Sequence, residues 1–182
     1  MRLTELKKEI AIPGGVEVKL EGKTVITKGP KGENSRRFLY PNMKLSMENN
    51  KLILSIKKAD KKDKTMIGTF SAHIKNILQG VEEGFTYKLK ICSGHFPMNV
   101  KSEANQVIIS NFMGEKVPRK ARILDGVTIN IQGDIITLTG SNKESVGQSA
   151  ANIELATRRT GFDKRIFQDG CYITEKSSRG LE

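Results

Sequence analysis

The sequence predicts an α+β fold of two tandem duplicated domains, each a small, mostly antiparallel sheet with one helix packed on it. Three observations lead there. Short β-prone runs separated by turn residues occupy the first part of each half. One stretch of helical periodicity closes each half. Matching residues also recur in the same order at an offset of about 80 positions.

The repeat is read from residue pairs. Glu21-x-x-x-Val25-Ile26 returns as Glu103-x-x-x-Val107-Ile108, and Lys31-Gly32-Glu33 as Met113-Gly114-Glu115. Leu52-Ile53-Leu54 matches Ile136-Thr137-Leu138, while Gly68 and Ala72-x-Ile74 match Gly147 and Ala151-x-Ile153. The offset drifts by a few residues, as changes in loop length would produce. The expected domains are residues 1–84 and 85–182.

In the first half, Val16-Glu17-Val18-Lys19-Leu20 alternates apolar and polar, the period of a strand with one covered face. Residues 24–27, 43–47 and 51–56 read as further strands. Gly14-Gly15, Glu21-Gly22, Gly29-Pro30 and Asn49-Asn50 supply turns, since Gly and Asn tolerate positive φ and Pro presets φ. The period then changes: Ile67, Phe70, Ile74, Ile77, Leu78 and Val81 share one helical face, and Gly84 ends the helix. The basic run at residues 57–64, interrupted by Asp60 and Asp63, reads as a solvated loop.

The second half repeats the order. Tyr87, Leu89 and Ile91 alternate, and residues 107–110, 127–131 and 135–138 follow as strands. Ser141-x-x-Glu144 reads as a capping box opening a helix whose buried stripe is Val146, Ala150, Ile153 and Ala156. Ser145, Gly147, Ser149, Ala150 and Ala151 imply a close approach to the sheet. Arg158 and Arg159 are expected in the last turn, where cations suit the negative end of the helix dipole, with Glu154 in reach of Arg158.

Charge narrows the function. The 182 residues carry 31 Lys and Arg against 20 Asp and Glu, a net charge of +11, with a pI near 9.7 and no Trp. The excess is +7 in residues 1–84 and +4 in residues 85–182, so neither half is a basic tail on a neutral domain. This points to a polyanionic partner. No apolar run reaches the roughly 18 residues of a membrane span, and the charged N-terminus lacks a signal-peptide pattern. Two cysteines exclude a disulfide scaffold and fit a reducing cytosol. Ten aromatic residues argue against a stacking platform for single strands and for structured RNA read by shape.

Catalytic motifs are missing. Gly22-Lys23-Thr24 resembles the end of a phosphate-binding loop, but Glu17 stands where its first Gly belongs and would repel phosphates. No nucleophile elbow, zinc-protease helix or dinucleotide fingerprint occurs. Cys92-x-x-His95 would be half of a tetrahedral zinc set, but its complement, His73 and Cys171, lies far apart in the chain. Cys92 reads more simply as a small buried hydrophobe and His95 as a loop residue. No metal, cofactor or small-molecule substrate is expected. The alternatives are an RNA-modifying or RNA-cleaving enzyme, which lacks a nucleophile, and a protein–protein adaptor, which leaves the charge without a role.

Several segments together resemble a known family. Residues 25–33 (Val-Ile-Thr-Lys-Gly-Pro-Lys-Gly-Glu) with Arg36-Arg37-Phe38 are similar to the first hairpin of the large-subunit ribosomal protein L6 family. So are Gly68-Thr69-Phe70-x-Ala72-His73-Ile74-x-Asn76, Asn111-Phe112-Met113-Gly114-Glu115-Lys116, Gln148-Ser149-Ala150-Ala151-Asn152-Ile153 and Phe167-Gln168-Asp169-Gly170-Cys171-Tyr172-Ile173. The tail departs from the bacterial pattern and resembles the archaeal and eukaryotic branch. The resemblance implies a structural, non-catalytic protein in cytoplasmic ribosomes, with large-subunit rRNA and neighbouring ribosomal proteins as partners. It also implies a site near the sarcin–ricin loop and stalk base, supporting the place where translation factors dock. The RNA-binding residues expected are Lys28, Lys31, His95, Lys116, Arg119, Arg158, Arg159, Lys164 and Arg165. Of these, Lys28 and Lys31 sit on a hairpin that could face either RNA or protein.

Overall fold

A computed structural model describes residues 3–41, 43–163 and 165–177, and the chain groups into two compact units dividing between Gly84 and Phe85. The first unit runs β1 (Leu3–Ala11), β2 (Glu17–Glu21), β3 (Thr24–Gly29), β4 (Gly32–Arg37), β5 (Met43–Glu48), β6 (Lys51–Ala59) and α1 (Lys61–Glu82). Its strands form two antiparallel sheets, ordered β1-β6-β5 and β2-β3-β4. Val25, Leu52, Leu54, Ile74 and Val81 are wholly enclosed in its core.

The second unit runs β7 (Phe85–Cys92), β8 (Asn99–Glu103), β9 (Gln106–Ser110), β10 (Arg119–Arg122), β11 (Val127–Gln132), β12 (Ile135–Gly140), α2 (Lys143–Ala156) and β13 (Gly170–Glu175). Its sheets are β10-β9-β8 and β11-β12-β7-β13. Thus β7-β12-β11 reproduces β1-β6-β5, and β8 to β10 reproduce β2 to β4. The correspondence reaches single hydrogen bonds: Phe38 N–H donates to Lys23 O at 2.8 Å, and Ile123 N–H to Asn105 O at 2.8 Å, both side chains being buried. The α+β duplication expected from sequence is the architecture observed. The addition in the second unit is β13, which takes the free edge of β7.

Local details correct the sequence reading. The strands β1, β4, β8, β10 and β13 carry no clear alternation. β1 is held by a partner, pairing from Leu3 opposite Ala59 to Ala11 opposite Lys51, with Ile10 buried and charged residues outward. The polar β4 satisfies the outer edge of β3, helped by Thr27 Oγ1 donating to Asn34 O at 3.0 Å. The basic run at residues 57–64 is not a loop: Lys57 and Lys58 end β6, and Lys61, Lys62 and Lys64 begin α1. Asp60 stands at the boundary, its N–H donating to Asp63 Oδ2 at 2.8 Å. The acids inside the run therefore start a helix.

The start and end of α2 also shift. Its N-cap is Asn142, not Ser141: Asn142 Oδ1 accepts from the N–H groups of Glu144 at 2.9 Å and Ser145 at 3.4 Å. The helix closes at Ala156, so Arg158 and Arg159 lie beyond its last turn. Thr157 explains the stop. Its Oγ1 donates to Glu154 O at 3.1 Å and accepts from Cys171 N–H at 3.0 Å, tying the helix end to β13. Glu154 does not pair with Arg158; its Oε1 accepts from Ile173 N–H at 3.3 Å. The thiol that is fully buried is Cys171, while Cys92 is half-buried.

Gly29 is required by close approach. A Cβ on Gly29 would sit 2.5 Å from the carbonyl oxygen of Val81, near the end of α1. That same oxygen accepts from Lys31 N–H at 3.0 Å. The Gly-Pro-Lys-Gly hairpin is therefore anchored to the helix through its backbone, which leaves the Lys28 and Lys31 side chains exposed.

Candidate nucleic-acid interface

In the second unit the segment between α2 and β13 packs beside the loop that follows β9. Arg119, the first residue of β10, joins them. Its Nε and one Nη donate to Glu115 Oε2 and Oε1 at 2.7 and 2.6 Å. Its other Nη donates to Ala156 O at 2.8 Å and Arg158 O at 3.2 Å, occupying carbonyls that the end of α2 leaves without helical donors. The guanidinium also lies 4.3 Å from the centre of the buried Phe112 ring. The planar fork thus holds a carboxylate and two carbonyls at once, which an ammonium could not.

Glu115 is the centre of this arrangement. Hydrogen bonds from Arg119 hold its carboxyl below the ordinary glutamate range, and Arg159 adds to the effect with an Nη 3.5 Å from Oε1. Arg159 in turn lies over the ring of Phe162, 4.3 Å from its centre. Arg158 is exposed and its side chain has no partner among the described residues; Lys116 is likewise exposed. Arg165 is paired instead, its Nη 2.8 Å from Asp163 Oδ2, so most of its charge is locally offset. Lys164 lies outside the described residues.

His95 reaches the same region from the loop after β7. Its N–H donates to Asp169 Oδ1 at 3.2 Å, and the Gly94 N–H donates to the same oxygen. Its ring lies 5.2 Å from that of Phe167, and Phe167 meets Phe162 edge-on at 5.0 Å. Asp169 is 4 % exposed. Its Oδ2 lies 3.3 Å from His95 Nδ1 but receives no hydrogen bond, the buried side-chain acceptor left unsatisfied among the described residues. Such an acceptor costs about 1–3 kcal/mol.

The fold therefore brings together His95, Arg119, Arg158 and Arg159, with Lys116 adjoining Glu115. Lys28 and Lys31 belong to the other unit. Sequence reasoning missed Glu115, Asp169, Phe162, Phe167 and Tyr172. The concentration of aromatic residues after α2 was a readable signal, obscured by the low aromatic content of the whole chain. Among the described residues no group of three or more His, Cys, Asp or Glu side chains could hold a metal ion, and no helix is long and apolar enough to cross a membrane. His73, on α1, and Cys171, on β13, lie in different units.

Comparison with known proteins gives this duplicated scaffold a lineage. The model of the ribosomal protein L6 family matches residues 12–84 and 96–170, one match in each unit. The chain belongs to the ribosomal protein L6 family. Archaeal relatives named large ribosomal subunit protein uL6 match over nearly the full length. The chain is 47 % identical to that of Methanobrevibacter smithii over 94 % of this chain and 96 % of the relative. It is 46 % identical to that of Methanococcus vannielii, over 97 % of each. These relatives put the chain in the archaeal-type branch of the L6 family, a structural and non-enzymatic one. The expectation of a protein without catalysis holds.

Proposed function

We propose that this chain is a structural protein of the large ribosomal subunit that binds 23S-type rRNA mainly through its second unit. Its place is near the sarcin–ricin loop and stalk base of cytoplasmic ribosomes, supporting the site where translation factors act. The observation that carries this reading is the Arg119 clamp. It fixes the end of α2 and the loop after β9 as one rigid edge, and it presents the unpaired cation Arg158 with Lys116 nearby. Lys and Arg on such an edge meet phosphates and release counterions, which supplies affinity without catalysis. Arg119 acts here as a positioning residue, since its donors are engaged internally. Arg165 contributes less than Arg158 because Asp163 competes for it. Lys28 and Lys31 are exposed on the other unit and suit a neighbouring ribosomal protein or RNA.

Titration of the full chain with an rRNA fragment containing the sarcin–ricin loop, at several salt concentrations, tests the reading. Affinity should fall log-linearly with salt. The double variant Arg158→Ala, Lys116→Ala should flatten that slope by roughly 1.4–1.8, as loss of two phosphate contacts requires. A double variant of Lys57 and Lys61, in the first unit, should change it less. The reverse order would place the RNA face on the first unit, and no rRNA binding at all would end the proposal.

A further inference from the structure

The second unit holds a cavity of about 340 Å³, lined by Glu154, Asp169, Arg158, Arg159, Phe162 and Phe167 together with Tyr172 and neighbouring residues. We infer that this cavity takes one unstacked guanine base from the bound RNA; the inference rests on the RNA-binding reading above. The volume lies at the small end of the range for ligand sites, roughly 300–1,000 Å³, and suits one base rather than a folded element.

The lining matches guanine by chemistry. Tyr172, 38 % exposed, offers a π-face of the kind on which splayed RNA bases stack, and the half-buried Phe167 with Phe162, one face of which Arg159 covers, completes an aromatic wall. Two carboxylates, acceptors without donors, share the wall. The second oxygen of Glu154 is unclaimed among the described residues, and the buried Asp169 Oδ2 receives no hydrogen bond, its neighbour being His95 Nδ1 at 3.3 Å. Guanine presents two adjacent donors, N1–H and the N2 amino group, to a carboxylate. Its O6 and N7 accept from a guanidinium group, which Arg158, open among the described residues, brings to the same cavity, while Arg159 is held by Glu115 and Phe162. Adenine, cytosine and uracil each lack the paired donors. Neighbouring cations favour a base carried by a phosphate chain, so RNA is the expected source rather than a free nucleotide.

The full-length chain can be titrated at one low salt concentration with the RNA pentamers UUGUU, UUAUU and UUUUU, and separately with GMP, while ring signals of Phe162, Phe167 and Tyr172 are followed by NMR. UUGUU should bind about tenfold more tightly than UUAUU or UUUUU and move those signals. Glu154→Gln keeps an acceptor for Ile173 N–H but replaces an acceptor with a donor, and should bring guanine and adenine within about twofold. Equal affinity for the three pentamers, or signal changes that bypass these rings, would overturn the pocket while leaving rRNA binding intact. GMP binding as tightly as UUGUU would assign the cavity to a free nucleotide and overturn the RNA source. Loss of the rRNA binding tested above would instead remove the reading on which the pocket depends.

Discussion

Replacing Arg119 by alanine should destabilise the second unit without removing a phosphate contact. The substitution deletes a bidentate ion pair with Glu115, whose side chains are 25 % and 31 % exposed, and orphans the carbonyl of Ala156. It also deletes a cation–π contact with Phe112. Solvent screening reduces the pair to about 1 kcal/mol, the orphaned carbonyl adds about 1 kcal/mol, and the ring contact adds about 0.5–1 kcal/mol. The loss should be about 3 kcal/mol, and at roughly 4–8 °C per kcal/mol for a unit of this size its melting temperature should fall by about 12–24 °C. Arg119→Lys retains the charge but not the fork and should recover less than half of this. Circular dichroism melts give the stability, and rRNA titrations well below the transition give the salt slope, which should match the parent. A variant that melts within about 2 °C of the parent yet flattens the slope by roughly 0.7–0.9 would refute the reasoning, because its guanidinium would then face a phosphate.

The other expectations are local. Asn142→Ala should lower stability by about 1 kcal/mol while Ser141→Ala leaves it nearly unchanged, measured by urea unfolding; the opposite order would restore Ser141 as the cap. Glu115 has a folded pKa below its ordinary 4.5 because Arg119 donates to it, so its stabilisation is present above that value and disappears as pH falls through the lowered one. Parent and Glu115→Gln should therefore differ in stability at neutral pH and converge in acid; a gap that persists to about pH 2 would mean that charge is not the cause. Burial pushes the Cys171 thiol up to about 12, so at neutral pH an alkylating reagent should mark the half-buried Cys92 and spare Cys171 until the unit unfolds. Peptide mapping decides this, and equal labelling of the native chain would contradict the burial.

The sequence by itself determined the class of fold and the tandem order, because those depend on local period. The spacing of Ile67, Ile74, Ile77, Leu78 and Val81 can bury one face only as a helix, and Tyr87, Leu89 and Ile91 only as a strand; all eight are buried. Charge likewise pointed to a polyanionic partner. Tertiary structure decided the rest. Polar strands such as β4 and β10 form because a neighbouring strand must satisfy its edge, and their own residues carry no trace of that demand. The end of α2 was set by Thr157 binding Cys171, a partner 14 residues away that no helix-stop signal encodes. The candidate interface follows the same rule. Arg119, Arg158, Arg159 and Arg165 are equivalent cations in the sequence, yet folding engages the first with Glu115 and two carbonyls, draws Arg159 towards Glu115 and Phe162, pairs the last with Asp163, and leaves Arg158 open. Whether a charge remains available to a ligand depends on which acceptors packing brings within about 3 Å, and that is a property of three-dimensional position.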